Sequence, residues 1–148
     1  RIWNLDEEKS AKEFNKKVFD KINEVFETNI NIDEVYKEKP KNIRIARKIF
    51  FNFDEYFSWP TLQNEVVSKT GFCYGLDSHF GVLVNGDVIP CCLDQNACVK
   101  LGNTNSTQLD DILNSKRVKD IQKGFKNNIL VEELCQKCEY RTRFDKKD

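Results

Sequence analysis

The chain has 148 residues, with 24 basic and 24 acidic side chains and a formal net charge of zero. This length suits one domain, or one domain with an attached piece of another. The balanced charge argues against a nucleic-acid partner, because phosphate binding calls for a basic excess. No stretch approaches the roughly 18 consecutive apolar residues of a membrane span, so we expect no membrane partner.

The sequence contains six cysteines, and all of them lie between Cys73 and Cys138. Nothing at the N-terminus resembles a signal peptide. Cysteines without an export signal favour metal binding or redox work in a reducing compartment, so we expect a cytoplasmic protein rather than a disulfide framework. The sequence also lacks methionine. We therefore expect it to be a piece of a longer protein.

The first 60 residues predict a strand–helix–strand unit. A helix is predicted over residues 6–27, because acidic residues open it and apolar residues recur at spacings of three and four. A shorter helical piece is predicted over residues 32–39. Residues 43–53 are rich in β-branched and aromatic types and predict one strand, and an apolar stub at the start of the chain is the other strand of the unit. The predicted apolar stripe of the helix consists of Phe14, Val18, Ile22 and either Val25 or Phe26.

Residues 61–148 predict a β-hairpin followed by helices, so the expected fold class is α+β. Asn85-Gly86 lies between two apolar runs, which is the strongest short hairpin signal. Two helices follow, the second over residues 116–127. The predicted cap of the first helix is Ser106 or Thr107, and the residues predicted to face inward are Leu109, Ile112, Leu113, Val118, Ile121 and Phe125.

The cysteine spacing predicts a metal site. Cys135-x-x-Cys138 aims two sulfurs at one point, and soft thiolates select zinc or iron–sulfur clusters. Four ligands are needed, and the hairpin supplies the other two. Cys73 precedes its first strand and Cys91 ends its second, so both are predicted to lie at the open end of the hairpin.

The two remaining cysteines and the one histidine lie outside this predicted set of four ligands. Cys92 is interpreted first as a buried packing residue and only second as a ligand, because neighbouring strand residues point to opposite faces. Cys98 is either a spare loop thiol or a further candidate ligand. His79, in or just before a strand, is interpreted as structural.

These motifs together resemble a known family. Cys73, then twelve residues, Gly86, four more residues and Cys91 resemble the opening of the SPASM and twitch domains of radical S-adenosylmethionine (SAM) enzymes. The further similar segments are Cys91-Cys92-Leu93-Asp94, Leu101-Gly102-Asn103, the helix of residues 108–115 and the closing Cys135-x-x-Cys138.

The resemblance implies a fold and a cofactor. Residues 1–60 look like the last βα piece of a radical SAM partial barrel, and residues 61–148 look like the auxiliary cluster domain. No cysteine follows Cys138, which resembles the smaller twitch type with one [4Fe–4S] cluster on Cys73, Cys91, Cys135 and Cys138. Lys137, Arg141 and Arg143 are the candidates for offsetting the negative charge of that cluster.

The resemblance also implies a function. The domain would assist electron transfer or substrate binding while the parent enzyme, with SAM and a second [4Fe–4S] cluster, modifies a peptide or small metabolite by radical chemistry. The C-x3-C-x2-C motif that holds the SAM-cleaving cluster is missing from the sequence. We therefore expect this chain alone to be inactive, and we name no catalytic residue.

Two alternatives remain open. The first is a binding module held together by a structural Zn²⁺, since four-cysteine sets for zinc and for clusters look alike in sequence. The second, which fits the sequence less well, is a thiol oxidoreductase that uses Cys135 and Cys138. If the barrel piece is real, its uncovered face could also let the isolated chain self-associate.

Overall fold

The computed structural model describes residues 2–3, 12–54 and 56–145. They form two compact units, the first ending at Tyr56 and the second beginning at Phe57. Helices and small sheets occur in both, which confirms the α+β class. None of the helices in these ranges has both the length and the apolar composition to cross a bilayer.

The first unit combines two helices with a three-stranded sheet. Strand β1 (Ile2–Trp3) pairs in parallel with β3 (Ile49–Asp54), and β3 pairs antiparallel with β2 (Asn42–Ala46). The single strand predicted over residues 43–53 is therefore wrong, because the chain reverses at Arg47-Lys48 and forms two strands. In chain order the elements are β1 (Ile2–Trp3), α1 (Lys12–Phe26), α2 (Ile32–Glu38), β2 (Asn42–Ala46) and β3 (Ile49–Asp54).

Helix α1 packs three residues of the predicted stripe against the core, but Phe14 is exposed and Phe19, which was not predicted, is buried. Phe14 and Val25 are 67% and 59% exposed, whereas Phe19 is only 1% exposed. The Phe19 ring lies 5.0 Å from the Phe51 ring, so contact with the sheet selects this face. Val18, Ile22 and Phe26 flank it as predicted. The part of the predicted helix before Lys12 lies outside the described residues.

The second unit begins with the predicted hairpin. Strands β4 (Gly81–Val82) and β5 (Asp87–Ile89) pair antiparallel. A third strand, β6 (Gly102–Asn103), pairs with β5 and was not predicted. The turn between β4 and β5 needs a glycine, because Gly86 has φ +85°. The elements are β4 (Gly81–Val82), β5 (Asp87–Ile89), β6 (Gly102–Asn103), α3 (Leu109–Leu113), α4 (Lys116–Lys126), α5 (Glu133–Gln136) and a 3₁₀ helix (Tyr140–Phe144).

The helices of the second unit pack largely as predicted. Val118, Ile121 and Phe125 of α4 are buried, and Ile112 of α3 is buried as well. The predicted cap of α3 is wrong: Gln108 occupies the N-cap position and makes no side-chain bond. The backbone N–H groups of Ser106 and Thr107 instead donate to the carbonyl of Asn103, in the turn after β6. The core around α4 also contains Leu76, Val99, Leu130 and Leu134.

Candidate metal centre

The four cysteines predicted as ligands line one cavity in the second unit. Cys73 lies ahead of β4, Cys91 lies two residues beyond β5, Cys135 is in α5 and Cys138 lies two residues beyond α5. The chain therefore brings two hairpin thiols and two C-terminal thiols to one place. The other residues of the cavity wall are Pro60, His79, Pro90, Cys92, Leu93, Leu134, Tyr140, Arg141 and Phe144.

The closing pair of cysteines is held by the hydrophobic core. Leu134 is buried in the core around α4, and the neighbouring Cys135 packs against the same core. Helix α5 ends at Gln136, and the backbone N–H of Cys138 donates to the carbonyl of Cys135 across the turn. This tight turn keeps both sulfurs of the C-x-x-C segment on the cavity wall.

Burial dominates the acid–base properties of the four thiols. It raises the pKa of Cys73 and Cys138, and it raises the pKa of Cys91 to about 12. Burial raises the pKa of Cys135 as well, and the negative charges of the other three thiolates raise it further. Each ionised thiol therefore disfavours the ionisation of the others. At neutral pH they are thiols, so a metal or cluster must displace their protons on binding.

Backbone amides point at the sulfurs, which the sequence did not reveal. The N–H of Gly75 donates to Sγ of Cys73 over 3.4 Å. Such donors lower the thiol pKa values against the effect of burial, and N–H···S bonds of this kind support thiolate-bound clusters. No residue type marks a backbone donor, so only the folded chain shows them. Backbone N–H groups of Tyr74 beside Cys73, Leu93 beside Cys91, and Tyr140 and Arg141 beside Cys138 lower the thiol pKa values in the same direction.

Of the three basic side chains proposed to face a cluster, one lies on the cavity wall. Arg141 is buried there, and its charge lowers the pKa values of nearby thiols. Lys137 pairs with Glu133 at 2.7 Å. The guanidinium of Arg143 lies 4.6 Å from the ring centre of Tyr140. The structure therefore separates Arg141 from the other two.

Among the residues outside the predicted ligand set, the burial predicted for Cys92 is wrong. Cys92 is exposed, not buried, although it lies on the cavity wall beside Cys91. The alternation rule does not apply to it, because β5 ends at Ile89. Cys98 is exposed and outside the cavity wall, in a loop where its backbone N–H donates to Asp94. His79 is exposed on the cavity wall rather than buried in a core.

A comparison with protein families identifies the segment that carries the cavity. Residues 73–139 match the family model SPASM, described as an iron–sulfur cluster-binding domain. These residues are similar to SPASM domains, and we call them the SPASM segment. No curated protein and no solved structure matched the chain. The SPASM match begins at Cys73 and ends one residue after Cys138, so it contains all four thiols of the cavity.

The donor set of the SPASM segment fits an iron–sulfur cluster. Thiolates are the usual ligands of such clusters. Here four cysteine thiols line a cavity whose wall also includes the buried guanidinium of Arg141. Among the described residues, no group of three or more His, Cys, Asp or Glu side chains is arranged tightly enough to hold a single metal ion. The four thiols share the wall of one cavity.

Proposed function

We propose that Cys73, Cys91, Cys135 and Cys138 hold one auxiliary [4Fe–4S] cluster. The observation that supports this most is that all four thiols line one cavity within the SPASM segment. When bound there, the cluster would supply one-electron transfer or a seat for substrate. Four thiols on one cavity wall match the ligand count of one such cluster, which supports the single-cluster, twitch-like form.

The spacing of the thiols favours a cluster over the alternative of a structural zinc module. Zinc in a four-cysteine site lies about 2.3 Å from each sulfur, so the sulfurs must converge on one ion. The thiols here line the wall of a cavity, and the backbone N–H of Gly75 donates to Sγ of Cys73. Both features suit a group that is larger and more negative than Zn²⁺.

We further propose that the chain belongs to a radical SAM enzyme that acts on a peptide or small metabolite. The parallel pairing of β1 with β3, with α1 and α2 between them in the chain, supports a βα piece of a partial barrel in the first unit. The antiparallel β2 is an addition to that pattern. SAM, the second [4Fe–4S] cluster and the substrate would be bound by the parent enzyme.

We also propose a cytoplasmic location. All six cysteines are free in the structure, and thiols that must bind a cluster need a compartment that keeps them reduced.

The decisive experiment is anaerobic reconstitution of the 148-residue chain, followed by iron, sulfide and zinc analysis and electron paramagnetic resonance (EPR). We expect about four irons and four sulfides per chain, and a signal from a reduced cluster. Cys135→Ala should lose most of the iron. Cys98→Ala is the matched control, because its thiol lies outside the cavity wall, and it should bind iron like the wild type. One zinc per chain and no sulfide would establish the zinc module instead.

A further inference from the structure

The cavity wall carries one fixed positive charge whose hydrogen bonds are incomplete. Arg141 is only 2% exposed. Its Nη1 donates to Oδ1 of Asp145 over 2.8 Å. Its Nε is buried and has no hydrogen-bond partner. Every other buried side-chain N or O atom of the described residues has such a partner. A buried donor without a partner is unfavourable, so its presence beside the thiols calls for a ligand.

The guanidinium is held in place by a close approach to the backbone. A Cβ added to Gly71 would lie 1.8 Å from Nη1 and 2.6 Å from Cζ of Arg141. Gly71 also has φ +144°, which disfavours other residues. Its backbone N–H donates to the carbonyl of Asn128 over 2.9 Å, so this backbone is fixed. Only glycine leaves room for the guanidinium against the chain at this position.

Arg141 shares the cavity wall with all four thiols, Cys73 and Cys91 from the hairpin and Cys135 and Cys138 from the C-x-x-C segment. Its guanidinium therefore borders the space that a bound cluster would occupy.

We propose that Arg141 is a positioning residue of the cluster site: its unpartnered Nε–H is reserved for a sulfur of the bound cluster, and its charge stabilises the reduced state. This inference rests on the proposed function. A [4Fe–4S] core with four thiolates carries a charge of about −2, and one-electron reduction makes it more negative. A desolvated cation stabilises the more negative state more strongly, so Arg141 raises the reduction potential.

The test is a redox titration of the reconstituted chain, monitored by EPR, together with iron and sulfide analysis. Arg141→Gln should shift the midpoint potential to more negative values, because the charge is lost. Arg141→Lys should give a smaller shift in the same direction, because the positive charge remains while the planar guanidinium and its Nε–H donor are lost. Gly71→Ala should also lower the potential, because the new Cβ displaces the guanidinium without changing the charge of the protein.

Arg143→Gln is the matched control. It removes the same charge two residues away, where the guanidinium lies against the rings of Phe57 and Tyr140 rather than on the cavity wall. The cluster in Arg143→Gln should have the same midpoint potential as the cluster in the wild type. If Arg141→Gln holds no iron, the titration of Arg141→Lys decides.

The outcomes separate this inference from the function on which it rests. Normal iron loading with a potential that is the same in the wild type and the Arg141 variants would overturn the role of Arg141 and leave the cluster proposal intact. An equal shift in Arg143→Gln would also overturn it, because the effect would then be one of net charge alone. A wild-type chain that binds no iron and no sulfide would overturn both proposals.

Discussion

At the residue scale, a fully buried carboxylate shapes the loop beside the cavity. Asp94 is 1% exposed. Its two oxygens accept hydrogen bonds from the backbone N–H groups of Cys98 and Val99, at 2.7 and 2.8 Å. Pairing with two donors offsets the cost of burying the carboxylate. The loop that follows Cys91 and Cys92 therefore turns back towards β6 in one defined path.

Asp87 should make the stability of the second unit depend on acid pH. Lys100 and Asn103 hydrogen-bond to its carboxylate and hold its pKa below the usual value. A carboxyl group with a lowered folded-state pKa adds stability above its unfolded-state pKa of about 4, and this stability is lost as the pH falls through the folded-state value. We expect Asp87→Asn to melt at a lower temperature than the wild type near neutral pH, with a difference that shrinks as the pH falls through the folded-state pKa of Asp87.

Circular dichroism melts at several pH values would measure this difference. Asp110→Asn is the control, because Asp110 lies on the exposed side of α3, and it should follow the wild type at every pH. A deficit in Asp87→Asn that stays constant from neutral to acid pH would contradict the prediction.

At the scale of elements, α4 places the C-terminal cysteines. The side chain of Ser115 caps its first turn by accepting from the backbone N–H of Val118. After the helix, the backbone N–H of Ile129 donates to the carbonyl of Gly124 over 2.8 Å, and Ile129 forms a bridge with Thr70. This return path leads the chain into α5, so the position of α4 determines where the C-x-x-C segment lies.

Gly124→Ala should destabilise the second unit, although alanine favours helices. The gain in helix propensity is about 1 kcal/mol. The added Cβ would lie 2.8 Å from the carbonyl oxygen of Ile129 and 2.6 Å from Cγ2 of Val131. Because the bridge to Thr70 fixes Ile129, the clash should outweigh the propensity, with a net loss of about 1–2 kcal/mol.

Urea unfolding of the loaded chain would measure the change in the free energy of unfolding. Lys119→Ala, on the exposed face of α4, controls for propensity and should change stability little. A Gly124→Ala variant as stable as the wild type, or more stable, would show that the segment after α4 yields easily.

At the scale of the whole molecule, the proposed cluster links parts of the second unit that are distant in the chain. Cys73 and Cys91 lie on one side of β6, α3 and α4 in the sequence, and Cys135 and Cys138 lie on the other. The first unit has a separate core around Phe19 that contains no cysteine. The two units should therefore respond differently to loss of the cluster.

Removal of the iron should loosen the second unit and spare the first. Bound metal contributes on the order of 10–16 kcal/mol in small zinc peptides, and a cluster that joins the ends of a unit should also contribute strongly. We expect chelation to increase amide hydrogen exchange in the second unit, above all near the four thiols, with exchange in residues 12–54 unchanged. Cys98→Ala should behave like the wild type, and equal exchange with and without iron would contradict a stabilising role.

Local patterns predicted most elements. The Asn85-Gly86 turn and the stripe of α4 were correct because turn chemistry and helical periodicity depend on neighbours in the chain. The burial of Phe19 in α1 was missed, and the single strand over residues 43–53 was wrong, for another reason. Phe19 is buried by contact with β3, and the reversal at Arg47-Lys48 depends on pairing between β2 and β3.

The sequence by itself determined the composition of the site: four cysteines at a family-typical spacing, which the SPASM match over residues 73–139 supports. Ligand type and spacing are local properties, so they can be read without a fold. Only the tertiary structure decided that Arg141, and not Lys137 or Arg143, faces the thiols, and that Gly71 makes room for it. Burial, backbone donors and close approaches depend on which distant segments meet, and no residue type records that.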